Sequence, residues 1–351
     1  MMNPAQRVGV AGATLVAAAV GAAAGFAAER MVVGRPLRRN GSSNPLGLGQ
    51  LRGPHHVLVA GDGVELYVEV DEPNPGARGH DLTVVFVHGY ALNMDSFHYQ
   101  REGLRGSARL VCYDQRSHGR SGRGETENAT IAQLARDLHL VIDDVAPSGP
   151  VVLVGHSMGG MTIMGLAEQH PELFRSRIVG VGLISTSAGD MSRVSFGLPS
   201  IAANGFRRIA PKLVSIGRRT PFLIERGRQV SNDLAVLVTK VYAFASDVPI
   251  ELVDFSLEMI NATPIDVLAD YYPALHDHQA LASIGVLNGT ETLVIVGGQD
   301  LLTPPSHSEA IVQVLPGAEL EVLDPGGHLV MLERPDDVNS LLFDLLERSS
   351  R

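Results

Sequence analysis

The chain of 351 residues is 45% hydrophobic, enough for a buried core, and is long enough for one large domain or two smaller ones. Its formal net charge of −10 excludes the basic face that a nucleic-acid partner requires. Cys112 is the only cysteine, so no intramolecular disulfide framework holds the chain together, and the lack of CxxC and HExxH motifs leaves no recognisable metal site.

Residues 8–28 carry no charged side chain, and about 20 helical residues span a hydrocarbon core. Within an N-terminal unit of residues 1–30, this segment reads as a single-pass membrane anchor. Arg7 precedes it, and Arg30, Arg35, Arg38 and Arg39 follow it, offset only by Glu29. The positive-inside rule then puts the rest of the chain in the cytoplasm. Residues 31–55 read as a linker, on the Gly, Ser, Asn and Pro content of residues 40–53.

Residues 56–60 and 65–70 are expected to pair as an antiparallel hairpin across Gly61-Asp62-Gly63. Short apolar runs follow at residues 82–87, 109–113, 151–154, 178–184, 292–296 and 320–323. Most are continuous and β-branched, as strands buried on both faces should be. Thr130 and Gln133 fit a capping box, and Ile131, Leu134, Leu138 and Val141 recur behind it at helical spacing. Val338, Leu341, Leu342, Leu345 and Leu346 make a similar face near the C-terminus. This alternation predicts an α/β fold, a mostly parallel sheet flanked by helices, built from residues 56–188 and 280–351. Between them, residues 189–279 look mainly helical and are punctuated by prolines, as an inserted lid would be. Its first half is rich in arginine and its second half is acidic.

Chemistry concentrates at strand ends. The run VVLVGHSMGGM over residues 151–161 ends an apolar strand on Ser157, flanked by Gly155, Gly159 and Gly160. A serine on a tight strand-to-helix turn has its hydroxyl above the sheet edge, but it needs a base and a group to orient that base. His328, in the loop after residues 320–323, is the candidate base, and Asp300, after residues 292–296, the candidate orienter. Asp190 is the rival acid. The order Ser157, Asp300, His328 is a Ser…acid…His order. Attack on a carbonyl also creates an oxyanion, for which the backbone N–H groups of Met158 and Tyr90 are the candidate donors. Met94, Phe97, Phe196, Phe206 and Phe222 could line an acyl pocket or serve only as packing.

On these residues the chain resembles the α/β-hydrolase superfamily over about residues 56–351. The supporting motifs are His88-Gly89, Gly155-His156-Ser157-Met158-Gly159-Gly160, Gly298-Gln299-Asp300 and Gly327-His328. Residues 113–121 are similar to the family's D-x-R-G-x-G-x-S segment, with Ser117 where glycine is usual. The resemblance implies a serine hydrolase with an inserted lid, a small-molecule ester or acyl substrate, and no metal or organic cofactor. A serine at the elbow speaks against the members that use an aspartate nucleophile. Carboxylesterases, monoglyceride-type lipases, cofactor-free haloperoxidase-like perhydrolases and C–C bond hydrolases remain, beside a non-catalytic ligand-binding protein on the same fold.

Overall fold

A computed structural model describes residues 44–77, 79–191 and 232–351. Eight strands form one sheet: β1 His55–Val59, β2 Glu65–Asp71, β3 Gly79–Val87, β4 Ala108–Tyr113, β5 Val151–His156, β6 Ile178–Ile184, β7 Glu291–Gly297 and β8 Glu319–Leu323. Their order is β1-β2-β4-β3-β5-β6-β7-β8. The β1–β2 and β2–β4 pairs are antiparallel and every other pair is parallel. Each apolar run of the sequence is therefore a strand.

The sheet is buried on both sides because successive residues face opposite ways. Val85, Val87 and Leu153 join one core with Leu138 and Ile142 of helix Ile131–Val145 and Ile163 and Leu166 of helix Met158–Gln169. Val84, Phe86, Val152 and Val154 join the other, with Leu104 of helix His98–Leu104 and Leu342 and Leu345 of helix Pro335–Ser349. Each such aliphatic side chain contributes about 1.5–3 kcal/mol by leaving water. Thr130 caps its helix by accepting the Gln133 N–H at 3.1 Å. The reciprocal half of the capping box is not made, because Arg136 and Asp137 hold the Gln133 carboxamide instead.

The strand order sets the position of the site. From β3 the chain moves to β4 on one side, and from β5 it moves to β6 on the other. Between the carboxyl ends of β3 and β5 lies a topological switch point, where the loops diverge and leave a crevice.

The loop after β4 is braced by ions. The Arg116 guanidinium is fully buried between Asp137, at 2.5 and 2.8 Å, and Asp62, at 2.7 and 3.1 Å. Its neighbour Ser117 adopts φ 65°, the left-handed region that favours glycine. The serine hydroxyl compensates by accepting the buried Gly124 N–H at 3.0 Å. Upstream, Leu48 is buried, and Arg52 forks onto Asp95 at 2.6 and 2.9 Å, so residues 44–54 of the expected linker dock on the core.

The expectation of a membrane-spanning anchor, and of a single-pass protein turned to the cytoplasm, is corrected. No helix among the described residues is long and apolar enough to cross a membrane. The longest of them have 15 residues and are amphipathic, short of the roughly 20 apolar residues a span requires. Residues 8–28, on which that expectation rested, lie outside the described residues. So do residues 192–231 of the expected lid, with all of its arginines and with Phe196, Phe206 and Phe222. The rest of that insertion contains helices Asn232–Ala243, Ile250–Ala262 and Ile265–His276.

Candidate active site

β5 runs directly into helix Met158–Gln169, and Ser157 alone makes the turn, with φ 51° and ψ −115°. Such a conformation costs a non-glycine residue about 1–3 kcal/mol and persists only where its surroundings fix it. Here the Ser157 N–H donates to the Ile184 carbonyl at 3.0 Å, and the Thr186 hydroxyl donates to the Ser157 carbonyl at 2.7 Å. The turn also needs close backbone approach: a Cβ on Gly159 would lie 1.9 Å from the Val87 carbonyl oxygen. From the β3 side, a Cβ on Gly89 would lie 2.7 Å from His156 Nδ1 and 3.2 Å from Ser157 Cβ. The two loops at the switch point are thus in contact through glycines.

His328 follows β8 and Asp300 follows β7, and their side chains meet: His328 Nδ1 is 2.8 Å from Asp300 Oδ2. A carboxylate can only accept there, so Nδ1 carries the proton and the lone pair sits on Nε2. Asp300 is itself fixed. Its Oδ1 accepts the Leu302 and Thr303 N–H groups at 2.8 and 2.9 Å, and its Oδ2 accepts the Thr303 hydroxyl at 2.8 Å. Burial works against ionisation of this carboxyl, but His328 and Thr303 outweigh it and hold the pKa below the usual aspartate value.

His156, the residue before Ser157, donates from Nε2 to the His328 carbonyl at 3.0 Å, with the two rings 4.8 Å apart. Burial and the adjacent His328 push its pKa down to about 3, so it stays neutral. It anchors the backbone of His328 and carries no proton to it.

Ser157 and His328 line one cavity of about 420 Å³, walled by Tyr90, Leu92 and Met161 and by Ile260, Leu268, Tyr272 and Leu275 of the inserted helices. Among the described residues that line it there is no lysine, arginine or carboxylate. Met94 and Phe97 are buried in the core and do not line it. Among the described residues, neither the Tyr90 N–H nor the Met158 N–H donates to a backbone carbonyl. The Tyr90 hydroxyl donates to the Leu268 carbonyl at 2.5 Å, tying the loop after β3 to helix Ile265–His276.

The structure therefore brings Asp300 against His328 and opens both Ser157 and His328 onto the cavity that Tyr90 walls. Asp190, the rival acid, follows β6 with φ 60°. Sequence reasoning missed Thr303, whose hydroxyl also lies 3.4 Å from His328 Nδ1. The signal was present: a threonine three residues after the acid is the spacing at which a side-chain carboxylate receives the following amides.

A doubly covered, mostly parallel sheet with Ser157, Asp300 and His328 gathered at its carboxyl edge is the arrangement of the α/β hydrolases. The family model described as the alpha/beta hydrolase family matches residues 84–341, and the chain belongs to that family. It is 27% identical over 261 residues to the dihydrolipoyllysine-residue acetyltransferase component of the acetoin cleaving system of Cupriavidus necator. That alignment covers 74% of this chain and 62% of the relative, so the chain spans less than two thirds of the relative's length. It is 26% identical over 259 residues to an sn-1-specific diacylglycerol lipase of Mus musculus, covering 72% of this chain and 77% of that protein. The solved esterase of Exiguobacterium antarcticum has a TM-score of 0.66 at 20% identity, over 85% of this chain and 100% of that one, which is a likeness of fold.

Proposed function

We propose that the protein is a serine hydrolase that cleaves carboxylic esters through an acyl-enzyme on Ser157. The observation that carries this reading is His328, 2.8 Å from buried Asp300, opening with Ser157 onto one apolar cavity. In this reading His328 Nε2 takes the hydroxyl proton as Ser157 Oγ bonds to the ester carbonyl carbon. The carbonyl electron pair moves onto oxygen, where the Tyr90 and Met158 N–H groups receive it. Collapse of the tetrahedral intermediate breaks the bond to the alcohol, which leaves with the proton from His328. Water then gives a proton to His328 and attacks the acyl carbon; collapse of this second intermediate breaks the Ser157 Oγ–acyl bond, His328 returns the proton to Oγ, and the acid leaves. Asp300 holds the imidazole in the tautomer this cycle needs.

The substrate this cavity favours is an ester of an uncharged, apolar acid, because its described lining residues offer no ionic partner for a charged acyl chain. The domain reading that accompanies it is a core of residues 56–188 and 280–351 with a lid of residues 189–279, whose described helices supply one cavity wall. The test is a panel of p-nitrophenyl esters of increasing acyl length. We expect a burst of p-nitrophenol equal to the enzyme present, followed by steady turnover that rises with apolar chain length before the cavity is filled. Hydrolysis no faster than buffer for every ester in the panel would rule the reading out.

A further inference from the structure

A buried polar chain links the two halves of the site, and its middle member is Gln115, in the loop after β4. Gln115 touches His88 twice: its backbone N–H donates to His88 Nε2 at 2.9 Å, and its carboxamide N–H donates to the His88 carbonyl at 2.6 Å. Because Nε2 accepts, the His88 proton sits on Nδ1, which donates to the Gly89 carbonyl at 2.8 Å. The Leu92 N–H reaches the same carbonyl at 3.3 Å. In a planar trans peptide the C=O and N–H point in opposite directions. Fastening the Gly89 carbonyl therefore fixes the direction of the Tyr90 N–H.

The other end of the chain lies on the nucleophile's helix. Gln115 Oε1 accepts the Thr162 hydroxyl at 3.0 Å, and that hydroxyl is also 3.0 Å from the Met158 carbonyl one turn earlier. His88, Gln115 and Thr162 are all at most 1% exposed, so water cannot replace any of these bonds.

We propose that Gln115 is a positioning residue: its carboxamide ties the His88 carbonyl, one peptide before Gly89–Tyr90, to Thr162 on the nucleophile's helix, and so fixes the spacing of the Tyr90 and Met158 amides. The proposal rests on the serine-hydrolase reading, in which those amides receive the oxyanion. Gln115 touches no substrate and acts through His88 and Thr162. A carboxamide suits this role because it offers a donor to one wall and an acceptor to the other; a carboxylate offers only acceptors.

Two variants test it. Gln115→Leu removes both side-chain bonds while keeping a buried side chain. We expect kcat on the best ester to fall on the order of 10²-fold, with KM changed less than twofold, since one oxyanion donor is worth roughly that factor. Affinity for an alkyl boronic acid, which mimics the tetrahedral intermediate, should fall by the same factor as kcat. Gln115→Glu gives a readout that a purely structural role would not move. Protonated, its carboxyl donates to the His88 carbonyl and accepts from Thr162, as the amide does; ionised, it loses the donor. We therefore expect its kcat to be near wild type at the acid end of the working range and to fall as pH rises, a limb the wild type lacks. Two outcomes would overturn the proposal: Gln115→Leu within threefold of wild type in both kcat and boronic-acid affinity, or a Gln115→Glu pH profile parallel to wild type. If Gln115→Leu fails to fold, the Gln115→Glu profile decides alone. Failure of the hydrolase reading is distinguishable, because the wild type itself would then turn over no ester and bind no boronic acid.

Discussion

Ser157→Ala is expected to lower kcat for ester hydrolysis by about 10⁶, His328→Ala by about as much, and the double variant by no more than either single one. The reason is that in the proposed mechanism the two side chains act in one step. A serine hydroxyl without a base is a poor nucleophile, and a base without the hydroxyl has nothing to activate. Asp300→Asn should cost less, about 10⁴. Asp300 accepts from His328 Nδ1, and an asparagine can turn its NH₂ toward that nitrogen. The imidazole then places its proton on Nε2, which is the wrong atom for taking one from Ser157. Thr303 and the amides that hold Asp300 remain in place, so stability should change far less than rate. Steady-state kinetics on the four proteins are the check. Losses that multiply in the double variant would mean the residues do not act as a unit.

Stability is expected to drop steeply as pH falls below about 6.5, well before ordinary carboxylates titrate. Burial holds His88 and His156 at about 3 and His118 and His278 at about 4. Unfolded, each titrates near 6.5. A histidine whose folded pKa is depressed contributes stability above its unfolded pKa and loses it as pH falls toward the folded value. Between pH 6.5 and 4 the unfolded chain thus binds up to four protons more than the fold. Asp114, pushed by burial up to about 6, and Asp137, also raised by burial, work in the opposite direction. The folded state takes up their protons first. The net difference of roughly two protons corresponds to about 3 kcal/mol per pH unit. Against a typical total of about 5–15 kcal/mol, two pH units remove a large share. Urea unfolding at a series of pH values from 7.5 to 4.5 measures this directly. A midpoint constant from pH 7 to pH 5 would contradict it.

The parts legible in the sequence were those written locally. Runs such as residues 151–154, buried at every position, read as central strands because both faces are apolar. Ser157 was visible because the glycines beside it have no other reason to cluster, and His328 and Asp300 because each follows a strand. The less legible parts depend on contacts between distant residues. Gln115 meets His88 across 27 residues and Thr162 across 47, and no local pattern announces either bond. Gln133 has the capping-box spacing, yet Arg136 and Asp137 hold its carboxamide. Ser117 stands where glycine is usual and keeps the glycine conformation, since the Gly124 amide rewards its hydroxyl. Met94 and Phe97 look like pocket residues by type but lie in the core, because side-chain chemistry does not reveal which face a residue takes. The anchor expectation used the length and lack of charge of one segment, and the described helices contain nothing able to span a bilayer.

The central claim is that Ser157 Oγ is the nucleophile, and covalent trapping tests it most directly. The full-length protein is exposed to an alkyl fluorophosphonate, its intact mass is measured, and the modified peptide is sequenced by mass spectrometry. We predict one phosphonyl group per chain, on Ser157, forming far more slowly in His328→Ala. An unmodified protein after prolonged exposure, or an adduct on any other residue, would contradict it.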